Sequence, residues 1–172
     1  MQKRFFAVGG CCFTLIAGAA LASTATINRT DRDFMISAAR ISMTEAHDGH
    51  LAEDQGDRAD VKDLGKTIDQ DYHASYSQLS AVAAKTGVTI PAGINVAKNP
   101  TIEQLVPLKG ARFDRQFARD EVIANQHALA LYKHEAAHGS NPDVKSYASG
   151  MIPVVEKDVQ RAQACAQAVN HT

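Results

Sequence analysis

The sequence predicts an all-α fold, a four-helix bundle with a long connection between its second and third helices. Three observations carry that prediction. Apolar residues recur at helical spacing in four long segments. Alternation of apolar and polar residues, the mark of a strand, is nearly missing, with Gly87 to Val96 the nearest approach to it. Helix stop and start residues fall at two short turns, while about 24 residues separate the middle pair of segments.

The first helix is expected from near Thr30-Asp31, with Asp33 in its first turn, to about Glu53, on a stripe of Phe34, Ala38, Ile41 and Ala52. After the turn Gln55-Gly56-Asp57, a second runs from about Arg58 to Lys85. Its stripe is Val61, Leu64, Ile68, Ser75, Leu79 and Val82, and Gly87 stops it. The connection 87–110 contains Pro91, Pro100 and Pro107, and Asn99-Pro100 is suited to cap a short helix ending before Pro107. The third long helix, about Ala111 to Ala137, aligns Phe113, Phe117, Ala124, Ala128 and Leu131. Gly139-Ser140-Asn141-Pro142 is a stop followed at once by a start. The fourth, about Pro142 to Val169, aligns Val144, Ala148, Met151, Val155, Ala162 and Cys165. Pro153 inside it deletes the bond to the Ser149 carbonyl and predicts a kink near Gly150 to Pro153. A middle connection of this length can cross from one end of a bundle to the other, which gives a ferritin-like topology; a simple up-down bundle is the alternative.

The first residues carry an address. Gln2-Lys3-Arg4 is a short basic region, Phe5 to Ala20 is free of charge, and Ala20-Leu21-Ala22 offers the small residues a signal peptidase reads. The expected organisation is a signal peptide at 1–22, a linker at 23–30 and the bundle at 31–169. The apolar run falls short of the ~20 residues that span a bilayer. A retained anchor is one alternative. A lipoprotein signal ending at Cys11 is another, although it leaves only Phe5 to Val8 as its apolar part. The reading is therefore an exported protein, periplasmic or otherwise associated with the cell envelope, with no transmembrane segment after cleavage. Cys11 and Cys12 leave with the leader, and Cys165 by itself cannot form an internal disulfide.

With 172 residues, 45% hydrophobic and 22% charged, the chain is suited to one folded domain. A formal charge of -1, 6% aromatics and no tryptophan argue against a nucleic-acid partner, which needs a basic stripe and stacking platforms.

Polar residues interrupt the stripes. Glu45 follows Phe34, Ala38 and Ile41; Tyr72 falls between Ile68 and Ser75, with Asp71 one residue round; Asn125 lies slightly off the third stripe; Asp158 lies between Val155 and Ala162. Each helix thus places a polar group near mid-length at or beside its core face. Buried singly, such groups cost about 1–3 kcal/mol when neutral and more when charged. Together they can satisfy one another or hold a divalent cation.

Asp33-Phe34 with Ala38-Ala39, Asp69-Gln70-Asp71, Phe113-Asp114-Arg115-Gln116-Phe117 and Ile152-Pro153 resemble, in order and spacing, a large bacterial family of exported proteins known as domain of unknown function 4142. The likeness covers roughly residues 31–166. It implies a ferritin-like bundle and a periplasmic or outer-membrane location, and it implies no established activity. The family pattern tends to carry histidines at the places held here by Tyr72, Asn125 and Asp158, so any metal-binding role of those histidines does not transfer directly.

A ferritin-like di-iron centre wants a glutamate from each of two helices and Glu-x-x-His from each of the other two. Glu45 and Glu121 are available, but Glu-x-x-His occurs once, at Glu135 to His138. The run His134-Glu135-Ala136-Ala137-His138 spells the zinc-protease helix, with Glu156 as a candidate third ligand. Against that stand its position at a helix end and the lack of a sheet to bind an extended peptide. A histidine there also suits the negative end of the helix dipole. His47 and His50 are a further two-point metal candidate, while Cys165 reads as a small buried hydrophobe. The leading functional expectation is a non-catalytic binding or stress-associated envelope module, with a small ligand or an envelope partner. The alternatives are a metal site in the bundle interior and a zinc hydrolase built on His134 and His138.

Overall fold

The computed structural model describes residues 26–171, so the expected signal peptide lies outside the described residues. Helix α1 is Arg29–Gln55 and α2 is Ala59–Thr86; α3, the short helix of the crossover, is Pro100–Leu105; α4 is Gly110–His138 and α5 is Pro142–Asn170. A 3-10 turn at Val96–Lys98 precedes α3, and the alternation at Gly87 to Val96 forms no strand.

Local chemistry sets the ends. Asn28 accepts from the Asp31 amide at 2.8 Å while the Asp31 carboxylate accepts from the Asn28 amide at 3.2 Å, a reciprocal box that starts α1 slightly before Thr30. Gly87 closes α2 at φ +70°, a left-handed conformation that suits glycine. Asn99 caps α3, and Asn141 caps α5 by accepting from the amides of Asp143 and Val144. Helix α5 continues unbroken through Pro153.

Two carboxylates fix the topology. Asp114, near the start of α4, accepts from the amides of Asp57 and Arg58 at 3.0 and 3.2 Å, so α4 begins beside the α1–α2 turn. Asp31, near the start of α1, accepts from the amides of Ser140 and Asn141 at 2.8 and 3.2 Å, which places the α4–α5 turn at the opposite end. Helices α2 and α4 therefore run parallel across the bundle, and the crossover travels its length, as the ferritin-like topology requires. The antiparallel pairs α1–α2 and α4–α5 carry most of the packing, with α2 against α5 and α1 against α4 closing the bundle. Among the described residues no helix is long and apolar enough to cross a membrane.

The core faces are those expected in α5, where Val144, Ala148, Met151, Val155, Ala162 and Cys165 are all buried. Elsewhere they are rotated slightly. Ser42 rather than Ile41 occupies the centre of the α1 face, and Ala83 is buried beside a half-buried Val82. In α4 the buried line passes through Glu121, Asn125 and Tyr132 instead of Ala124 and Leu131. The cause is that apolar residues flank polar ones here, so a reading by hydrophobicity picks the shoulder of the face.

Asp31 is fully buried and its carboxylate serves three backbone donors. Burial pushes its pKa up, but the amides of Ser140, Asn28 and Asn141 outweigh that and hold it below the usual value. Asp31→Asn replaces one of its acceptor oxygens by a donor and is expected to cost about 2 kcal/mol, read from the urea midpoint at neutral pH.

Candidate functional site

The four polar interruptions meet inside the bundle. Tyr72, Asn125 and Asp158 are fully buried and Glu45 is 5% exposed. The Tyr72 hydroxyl donates to Asn125 Oδ1 at 2.8 Å across the core, and Asn125 Nδ2 donates to Glu121 Oε2 at 2.9 Å and to the Glu121 carbonyl at 3.0 Å. Glu121 in turn shares a hydrogen bond with Glu45 on α1. Arg161 closes the other side, donating to Asp158 Oδ1 at 2.8 Å and to the half-exposed Asp71 at 3.3 Å. All four long helices contribute to one layer.

This layer is strongly acidic and buried, and its protonation follows from that. Burial, then the nearby Asp48 carboxylate, pushes Glu45 up to about 8. Burial and the Glu45 carboxyl hold Glu121 well above the ordinary value. A hydrogen bond between two carboxyl groups needs a proton, and Glu121 is the better holder of it. Burial, then Asp71, raises Asp158 to about 6 against the pull of Arg161; burial raises Asp48 to about 6 against the neighbouring His47. Below this layer lies a second one of hydroxyl groups. Ser75 Oγ lies 2.8 Å from the Tyr147 hydroxyl, 3.1 Å from Ser42 Oγ and 3.3 Å from the Tyr132 hydroxyl.

The interior donors do not fit a ferritin-type di-iron centre. The chain's histidines are all exposed or half-buried, α2 contributes a tyrosine, and Glu121 already bonds both Asn125 and Glu45. Glu45 Oε2 and Asp158 Oδ2 are buried without partners, but among the described residues they belong to no group of three close metal-ligating atoms.

At the far end of α4, His134 and His138 sit together on the exposed face with ring centroids 4.9 Å apart. Glu135 is turned inward, 1% exposed, and packed against Gly139. Burial and the adjoining Asp31 carboxylate raise its pKa to about 7. Glu156, the candidate third ligand, pairs with Lys133 at 2.8 Å. The acid that a zinc protease would use on water thus faces away from its histidines. The pair also sits at the C-terminus of the helix, where positive charge is favoured.

On the outside, α1, α2 and the crossover enclose a groove of about 600 Å³. Tyr76 fastens the crossover by donating to the Pro91 carbonyl at 2.8 Å, and Asn99 Nδ2 donates to Thr44 Oγ1 at 3.0 Å. Met43, Ala46 and Ile94 give the groove an apolar wall, while His47, His50 and His73 bring polar groups to it. His47 lies 3.2 Å from Asp48 and His73 lies 2.7 Å from Asp69. The predicted pair His47 and His50 is therefore divided, His47 serving the buried Asp48.

A family model, the domain of unknown function DUF4142, matches residues 17–165. The chain belongs to the DUF4142 family. No curated protein is found to match it. A solved structure, the crystal structure of a DUF305 fragment from Deinococcus radiodurans, superposes with a TM-score of 0.72 at 13% identity, over 86% of this chain and 99% of that one. That likeness concerns the fold.

Within this DUF4142 domain the structure adds residues that spacing did not place in the layer. Glu121 lies one helical turn before Asn125, so the i, i+4 relation was the available signal. Arg161 lies three residues after Asp158, again on the same helix face. Asp48 lies three after Glu45.

Proposed function

We propose that this DUF4142 domain is a non-catalytic binding module of the cell envelope, taking a small, mainly apolar molecule into the groove between α1, α2 and the crossover. The observation that carries this reading is the groove itself. A concave, largely apolar site with a few convergent polar groups is the usual form of a small-molecule site. The interior layer, by contrast, is closed off by the four helices and engaged in its own hydrogen bonds. The envelope address rests on the pattern of residues 1–22, a basic start, an uncharged apolar run and small residues before Ser23.

Anilinonaphthalene sulfonate, an apolar fluorescent anion, tests the groove. Saturable binding of one dye per chain is expected, and Met43→Trp or Ala92→Trp, which fill the groove from opposite walls, should weaken it about fivefold or more without lowering the melting temperature. Equal dye binding by the wild-type chain and both variants, or none by any of them, contradicts the reading. Cleavage before Ser23 in an exporting bacterium, read by intact mass, checks the address separately.

A further inference from the structure

We propose that His50 and Glu53 of α1 and Asp69 of α2 form a site for one divalent cation of the zinc type at the edge of the groove. One ligand atom from each of the three residues lies within 4.8 Å of the other two, and among the described residues this is the group of three or more that meets such a criterion.

The backbone explains the convergence. Gly49 and Gly65 are both buried where α1 meets α2, and a Cβ on either would stand 2.6 Å from the carbonyl oxygen of the other. The missing side chains let the two helices approach closely at that level. His50 is the residue after Gly49, Glu53 follows it by three and shares its face, and Asp69 lies one turn beyond Gly65. The close crossing therefore brings an imidazole and two carboxylates from two rigid helices together, as a built site needs.

The supporting contact is also of the right kind. His73 Nδ1 hydrogen-bonds with the Asp69 main-chain oxygen at 3.0 Å and lies 2.7 Å from Asp69 Oδ1, a buried oxygen that has no hydrogen-bond partner of its own. A shielded carboxylate oxygen without a hydrogen bond is an acceptor that a cation would satisfy. His50 is exposed and its Nε2 stays 3.8 Å from Asp54, so its ring can turn to the ion. A tetrahedral ion with bonds of about 2.0–2.2 Å draws donors to roughly 3.4 Å apart, closer than the 4.8 Å within which these three atoms already lie. One nitrogen and two oxygen donors favour zinc over magnesium or calcium, and three protein ligands leave a coordination position open. This site stands on its own geometry and does not require the groove to hold an organic ligand.

Zinc chloride titrated calorimetrically into the untagged chain is the test, with magnesium chloride as the comparison. One zinc per chain is expected. His50→Ala and Asp69→Asn should each weaken it about tenfold or more, whereas the double substitution His134→Ala with His138→Ala leaves it unchanged. His50→Ala should melt like wild type, because that side chain is exposed. No uptake of zinc, wild-type affinity in either His50→Ala or Asp69→Asn, loss of zinc in the His134/His138 variant, or magnesium binding as tight as zinc overturns the proposal. Met43→Trp should keep its zinc even where it loses the dye, so failure of the groove reading and failure of this one are told apart.

Discussion

Raising the pH from 5 to 8 is expected to lower the melting temperature of the domain by about 10 °C, a loss of roughly 4 kcal/mol. The direction follows from acids held neutral by burial. Glu45 at about 8, Glu135 at about 7, and Asp48 and Asp158 at about 6 all lie above their ordinary values. In the unfolded chain these groups ionise near pH 4, while in the native state they keep their protons longer. Their contribution is complete below the unfolded values and is lost as the pH rises through the folded ones. Asp31 works the other way, since its pKa is lowered; its contribution disappears only in stronger acid, outside this window. Glu45→Gln keeps the shape of the neutral acid without its proton. It should leave stability at pH 5 nearly unchanged and recover a large part of the loss at pH 8. A melting temperature that rises from pH 5 to 8, or a Glu45→Gln variant with an unchanged pH profile, contradicts the description of the interior.

Gly65→Val is expected to be the most damaging single substitution, costing about 4 kcal/mol or more. A Cβ at Gly65 would lie 2.6 Å from both the Ala52 Cβ and the Gly49 carbonyl oxygen, and part of that obstruction is backbone that cannot rotate away. Glycine is a poor helix former, so substitution at an open helical site should stabilise by about 1 kcal/mol. Gly150 is such a site, with nothing within 4 Å of an added Cβ. Comparing Gly65→Ala with Gly150→Ala by urea denaturation separates the two effects: the first should lose stability and the second should gain it. Loss of similar size at both positions would mean that close helix approach is not what Gly65 provides.

Much of the architecture was legible in the sequence because helix ends obey local rules. Asn99 before Pro100, Asn141 before Pro142, and Gly87 after α2 each act through their own backbone neighbours. The parallel course of α2 and α4 was foreseen only as one of two topologies, since what decides it is long-range: Asp114 reaching the α1–α2 turn and Asp31 reaching the α4–α5 turn. The interruptions of the apolar stripes were visible in the sequence, and Glu45, Tyr72, Asn125 and Asp158 are buried in the structure. Asp71 is the exception, lying at the edge with Arg161. Glu121 was overlooked as a member because a buried carboxyl becomes tolerable only when a partner supplies hydrogen bonds, and those partners sit on other helices. The His50, Glu53 and Asp69 group was hidden for a similar reason. It depends on two glycines in different helices facing each other, and neither helical stripe records that distance.

Burial holds the interior carboxyl groups neutral, and the proposed ligands are assigned instead to the outer groove and its edge. Carbon-13 NMR of the Glu45 and Glu121 side-chain carboxyl carbons across pH 3 to 9 tests this most directly. The expected result is that Glu45 titrates near pH 8 and that Glu121 still holds its proton there. Ordinary titration of both near pH 4.5 would mean a hydrated, open layer and would contradict it.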